Sequence, residues 1–182
     1  VMLPEFKGAD GLYQGGMHHE DVLSHSISAC QASVACTSTL EVRLAALLHD
    51  IGKSEVVVAS EGRNTFLGHE LAGEMISQSL LKRLKASNTL IKDVSHLVRH
   101  HMFEYQSAWS DSAVRRCIAR AGLQYIPRLL QLRIGDQIAI HGKANTVLLD
   151  ELKQRIEAIL EEHDALSIKD LAVNGNDLMD LG

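Results

Sequence analysis

Cysteine is scarce in this chain: the 182 residues hold only Cys30, Cys36 and Cys117. The number is odd and no Cys-x-x-Cys occurs, so neither a disulfide framework nor a thiolate zinc knuckle is expected. The three thiols are expected as core filler in a reduced, cytoplasmic setting. Aromatics make up 4% against 46% hydrophobic residues, which leaves the interior to Leu, Ile, Val and Ala. No apolar run approaches the ~20 residues of a membrane span, and the opening Val1-Met2-Leu3-Pro4-Glu5 has no signal-peptide pattern. Net charge is −5, which argues against a strongly basic nucleic-acid module.

Several reaction classes also lack their residues. No G-x-G-x-x-G follows a strand, which excludes the usual dinucleotide loop. Gly52-Lys53-Ser54 resembles the tail of a phosphate-binding loop, but Leu47 occupies the place of its first glycine. There is no Cys-x5-Arg and no G-x-S-x-G elbow. His69-Glu70 has no second zincin histidine. Histidine, by contrast, is plentiful: ten residues are the compositional anomaly.

Periodicity predicts an all-α chain folded as one domain over residues 1–182. Helices are expected over Asp21–Ala35, up to Gly52 through Leu40, Leu44, Leu47 and Leu48, over His69–Leu84 and over Ile91–His101. Others are expected over Ser110–Ala121, Pro127–His141 and Leu148–Glu162, with Gly52 as a C-terminal stop and Pro127 in a first turn. The Val56-Val57-Val58 run and the Glu61-Gly62 turn predict a loop or small hairpin after His49-Asp50. Ser167–Asp170 reads as a capping box and Asn174–Asp177 as a turn. The apolar end and featureless start suggest a piece of a longer protein.

Metal-ligand residue types recur along these helices. Asp21 and His25 are four apart, on one face. His49-Asp50 follows Leu44-Ala45-Ala46-Leu47-Leu48, an odd place for two polar side chains in a core. Asp136 lies inside Leu132-Arg133-Ile134-Gly135-Asp136-Gln137-Ile138, where a carboxylate is costly without a cation or donor. Gly135 beside it permits close helix approach. A divalent ion would satisfy His25, His49, Asp50 and Asp136 at once, with His69, His100 and His101 as further donors. Singly, each has a plainer reading: Asp21 as a helix cap, His100-His101 as a dipole-stabilised helix end, and His96, His141 and His163 as core or surface residues.

The series His25…His49-Asp50…Asp136, with Leu44–Lys53 around the dipeptide, resembles the signature of the HD superfamily of all-α metal-dependent phosphohydrolases. His18-His19-Glu20-Asp21-Val22, Phe66-Leu67-Gly68-His69-Glu70, Leu97-Val98-Arg99-His100-His101 and Leu171–Met179 resemble the C-terminal HD domain of bacterial CCA-adding tRNA nucleotidyltransferases, whose nucleotidyltransferase head is absent from this sequence. The resemblance implies phosphatase, 2′-nucleotidase or 2′,3′-cyclic phosphodiesterase activity on nucleotides or RNA ends, with tRNA as a partner. It implies His25, His49, Asp50 and Asp136 as ligands of a first metal. Asp21, His69, His100 and His101 would extend the set to a second, with Asp50 bridging. Asp50 and Lys53 are the catalytic candidates, Lys53 as a point charge on a phosphate oxygen. Mixed imidazole and carboxylate donors favour Mn, Fe, Co, Ni or Zn over Mg. The rival class is a tRNA-binding accessory domain with Arg115, Arg116 and Arg120 on phosphates. A cyclic-dinucleotide phosphodiesterase is disfavoured, because the Gly-Tyr-Pro companion is missing.

Overall fold

Three helices begin where a short polar side chain accepts an otherwise unpaired backbone N–H, which fixes their first turn. Asp21 Oδ1 takes Ser24 N–H at 2.7 Å, Ser87 Oγ takes Leu90 N–H at 3.2 Å and Ser110 Oγ takes Ala113 N–H at 3.3 Å. The computed structural model describes residues 3–15, 19–37, 39–60 and 63–161. His18, the Glu61-Gly62 turn, His163, the Ser167–Asp170 box and the Asn174–Asp177 turn lie outside them.

The order is α1 (Val22–Ser33), α2 (Leu40–Leu48), α3 (Lys53–Val56), β1 (Val58–Ser60), β2 (Arg63–Thr65), α4 (His69–Arg83), α5 (Asn88–His100), α6 (Asp111–Ala121), α7 (Ile126–His141) and α8 (Val147–Glu161). The fold is all-α apart from the hairpin, whose antiparallel register sets Val58 opposite Thr65 and Ala59 opposite Asn64. The one-turn α3 was not expected; Val56 closes it, so the β-branched run is split between a helix and a strand.

The chain forms two compact units. One comprises Val1–Phe103 with Pro127–Asn145, the other Glu104–Ile126 with Thr146–Gly182. In the first, α1 packs on α2, α2 on α5, and α4 on both α3 and α5. Val22, Ala29, Val42, Ala45, Ala46, Val94, Leu97 and Val98 are sealed from solvent there, each of the larger side chains stabilising by about 1.5–3 kcal/mol. In the second, α6 packs on α8. Tyr105 Oη donates to Glu151 at 2.6 Å, and Arg155 donates to the same Tyr105 oxygen at 3.1 Å. The cysteines are free but only half-buried, a departure from core filler: Cys30, for example, directly follows the sealed Ala29 and so lies beside the buried stripe of α1.

Gly52 departs from expectation in its reason. Its φ of −72° is right-handed, so no left-handed helix stop requires glycine. Instead, a Cβ there would overlap His69 carbonyl oxygen and lie 2.5 Å from Gly73 nitrogen. The turn after His49-Asp50 is thus laid directly on the start of α4. Gly135 does the same for α7, where a Cβ would meet Ser33 Cβ of α1 at 3.2 Å.

Because the Gly52 clash is with backbone, Gly52→Ala should destabilise the protein by about 1–3 kcal/mol. Urea unfolding followed by helical circular dichroism measures this; an unchanged midpoint would mean that the turn does not need its close seat on α4.

Candidate metal centre

Six helix segments of the first unit bring their polar residues to one buried place. His25 comes from the second turn of α1, His49 and Asp50 from the end of α2, and Lys53 from α3. His69 opens α4, His101 follows α5, and Asp136 lies within α7. All seven are buried, Asp50 to 2% exposure. Asp50 is central. Its Oδ2 lies 3.2 Å from His49 Nε2, 3.7 Å from His25 Nε2 and 2.7 Å from Lys53 Nζ. Its Oδ1 faces the other way, 3.5 Å from His69 Nε2 and 3.8 Å from His101 Nε2. Asp136 Oδ1 completes the first side, 3.1 Å from His25 Nε2 and 3.7 Å from His49 Nε2.

Backbone carbonyls orient the rings. His49 Nδ1 meets Ala46 O at 2.8 Å, His69 Nδ1 meets Phe66 O at 2.8 Å, and His101 Nδ1 meets Val98 O at 2.6 Å. A carbonyl only accepts, so each Nδ1 carries the proton and each Nε2 is turned inward. Burial pushes His69 below its ordinary range. Burial, reinforced by the charge of His49, takes His101 down to about 3. Both rings are therefore neutral near pH 7, and their Nε2 atoms stand 3.2 Å apart. Two lone pairs facing at that distance repel unless a positive centre is shared between them.

The electrostatics of the other side point the same way. Burial pushes His49 down, yet the charges of Asp50 and Asp136 outweigh it and raise the imidazole. Burial pushes Asp136 up, but the hydrogen bond from His25 and the charge of His49 hold it at about 2. Asp50 is likewise held well below the carboxylate range, with His49 and Lys53 overcoming its burial. The pocket thus carries two ionised carboxylates and draws positive charge to them. Two donor triads have mutual separations within 4.8 Å: His25, His49 and Asp136, and Asp50, His69 and His101. Imidazole nitrogens and carboxylate oxygens with inward lone pairs suit a divalent transition ion. The residues fit a metal.

The structure leaves two of the sequence candidates outside these triads. Asp21 caps α1, its second oxygen accepting Gly11 N–H at 3.1 Å. His100 instead lies against His96, the rings tilted at 43° with centroids 4.4 Å apart. Two residues join the site without having been singled out. Arg133 donates to Asp136 Oδ2 at 3.0 Å, one turn earlier on α7, and leaves Oδ1 for the pocket. Gln14, 7% exposed, accepts from Lys53 Nζ.

The HD domain family matches residues 22–174. An A-adding tRNA nucleotidyltransferase of Deinococcus radiodurans is 33% identical over 173 residues, which cover 91% of this chain and 39% of the relative. A CC-adding tRNA nucleotidyltransferase of Thermus thermophilus is 34% identical over 169 residues, covering 85% and 38%. A Multifunctional CCA protein of Halorhodospira halophila is 35% identical over 109 residues, covering 58% and 26%. The chain therefore spans less than two fifths of the length of these relatives. Among the described residues no helix is long and apolar enough to cross a membrane.

A divalent ion at a hundred times its dissociation constant should raise stability by about 2.7 kcal/mol, or about 5–10 °C in melting temperature. Thermal melts of metal-stripped protein with Mn, Co, Ni, Zn or Mg should show such a rise with at least one ion, and His49→Ala should abolish it. An equal rise in both proteins would place the ion elsewhere.

Proposed function

This chain belongs to the HD domain family, and on that footing we propose that its buried histidine–carboxylate cluster is a metal-dependent phosphohydrolase centre. Its substrates would be phosphate esters of nucleotides or RNA ends, in phosphatase, 2′-nucleotidase or 2′,3′-cyclic phosphodiesterase reactions. The observation that carries the reading is the pair of neutral imidazoles, His69 and His101, set Nε2 to Nε2 beside Asp50 Oδ1. A structural histidine pair would share a proton; these two spend theirs on backbone carbonyls.

His25, His49 and Asp136 would hold one ion, and His69 and His101 a second, with Asp50 offering one oxygen to each side. Mn, Fe, Co, Ni and Zn suit this nitrogen-rich set better than Mg. A bound ion supplies Lewis acidity, drawing charge from phosphate oxygens and lowering the pKa of a water. The chain's own groups do the rest. The Nδ1–carbonyl contacts fix the direction of three rings before any substrate arrives, so no reorganisation is spent on them. Arg133 holds the outer oxygen of Asp136. Lys53 is the one side-chain ammonium on Asp50 among the described residues, and it offers a point charge to a phosphate oxygen.

A second reading is supported by the relatives, whose names are those of tRNA nucleotidyltransferases. On it, this chain is an accessory domain that holds tRNA for a catalytic head. Exposed Arg116 and Arg120 lie one turn apart on α6 and suit backbone phosphates.

Metal-stripped protein is expected to hydrolyse 2′,3′-cyclic AMP or 2′-AMP only after a divalent ion is restored. Loss of even an outer partner of a metal ligand costs 10–100-fold, so Asp50→Ala should cost more than about 100-fold. Absence of turnover with every ion, together with steeply salt-dependent tRNA binding, would favour the accessory-domain reading instead.

A further inference from the structure

Lysine side chains are long and mobile, and a charge that must meet a small anion loses affinity when its stem wanders. Lys53 is not left to wander. Its ammonium is fixed by Asp50 Oδ2 at 2.7 Å and by Gln14 Oε1, with the Phe66 ring centroid 5.5 Å away. Asp50 cannot be a dedicated anchor for it, since both of its oxygens also face histidines. That leaves Gln14, which stands 39 positions earlier in the chain.

The placement of Gln14 is itself secured. Tyr13 forms an isolated antiparallel bridge with Asp21, and Asn64 of β2 donates to Tyr13 O at 2.8 Å. Asp21, in turn, ties Gly11 and the first turn of α1 together through its two carboxylate oxygens. The irregular segment leading into Gln14 is thus pinned at Gly11 and Tyr13, to α1 and to the hairpin.

The state of the Gln14 amide shows what it is for. An ammonium has only donors, so the end facing Lys53 must be the carbonyl oxygen. The other end, Nε2, is buried and has no hydrogen-bond partner among the described residues. A glutamine kept to knit backbone segments together uses both ends of its amide, because an unpaired buried donor is costly. Among the described residues Gln14 uses one end, and uses it on Lys53.

We propose that Gln14 is a positioning residue of this site: its carboxamide oxygen, with Asp50 Oδ2, holds the Lys53 ammonium where a substrate phosphate oxygen docks. This rests on the phosphohydrolase reading for the identity of the anion. It assigns Gln14 an effect on phosphate affinity that is exerted only through Lys53.

The test is a double-mutant cycle with Gln14→Met and Lys53→Met, which keep side-chain length and remove the polar ends. The readouts are the dissociation constant of inorganic phosphate on the metal-loaded protein, by calorimetry, and KM and kcat for 2′-AMP. With Lys53 present, Gln14→Met should weaken phosphate binding about tenfold, the scale of a charge-assisted hydrogen bond, and raise KM more than it lowers kcat. In the Lys53→Met background the same change should have less than about a twofold effect, since residues acting through one another are not additive. Equal factors in both backgrounds, or a lower melting temperature with phosphate binding intact, would overturn the proposal. So would wild-type protein that binds no phosphate. The binding arm needs no turnover: a cycle that closes as expected in a protein inactive on every ester would retain Gln14 and reject the phosphohydrolase reading.

Discussion

A carboxylate that is 2% exposed constrains everything around it. Left alone in an apolar interior, ionised Asp50 would be too costly to keep. It is kept by positive and polarisable groups on every side: Lys53 and His49 against one oxygen, His69 and His101 across from the other. No single helix supplies such a shell. Helices α1, α2, α4 and α5 must therefore end or begin near the same point, and α7 must pass it, which fixes the arrangement of the first unit more tightly than apolar contact alone would.

That convergence needs backbones closer than ordinary side chains permit, and glycine provides it at two seams. Gly52 lets the His49-Asp50 turn rest on the start of α4, and Gly135 lets α7 approach Ser33 of α1. One seam brings Asp50 toward His69; the other brings Asp136 toward His25. Packing and charge are therefore not separate achievements here. Each close seam is also the means by which a buried carboxylate reaches its histidine.

Much of this could be read in the sequence because it is periodic. The all-α class followed from apolar spacing, and helices α4 to α8 begin and end within a few residues of expectation. His49-Asp50 and Asp136 stood out as polar side chains in apolar surroundings. What spacing does not contain is phase at a helix end. His100 and His101 are adjacent, and only the last turn of α5 decides that one enters the pocket while the other lies against the ring of His96. Asp21 lies four residues before His25, as a ligand on the same face would, but position before a first turn equally suits a cap, and it caps. Gln14 sits in a segment with no period at all, so nothing local marks it; its meaning comes from Lys53, far along the chain. Arg133 offered a weak signal, one turn before Asp136.

The two donor triads also differ in how much chain each one gathers. Asp50, His69 and His101 lie within a single continuous stretch, whereas His25, His49 and Asp136 are joined only when α7 returns to the first unit after residues 104–126. During synthesis the chain emerges from its amino end, so one half of the site has all its atoms outside the ribosome well before the other. The shared carboxylate then waits, half-surrounded, for a helix not yet made. Order of birth is thereby written into the site, and the part that closes last depends on the newest residues to appear.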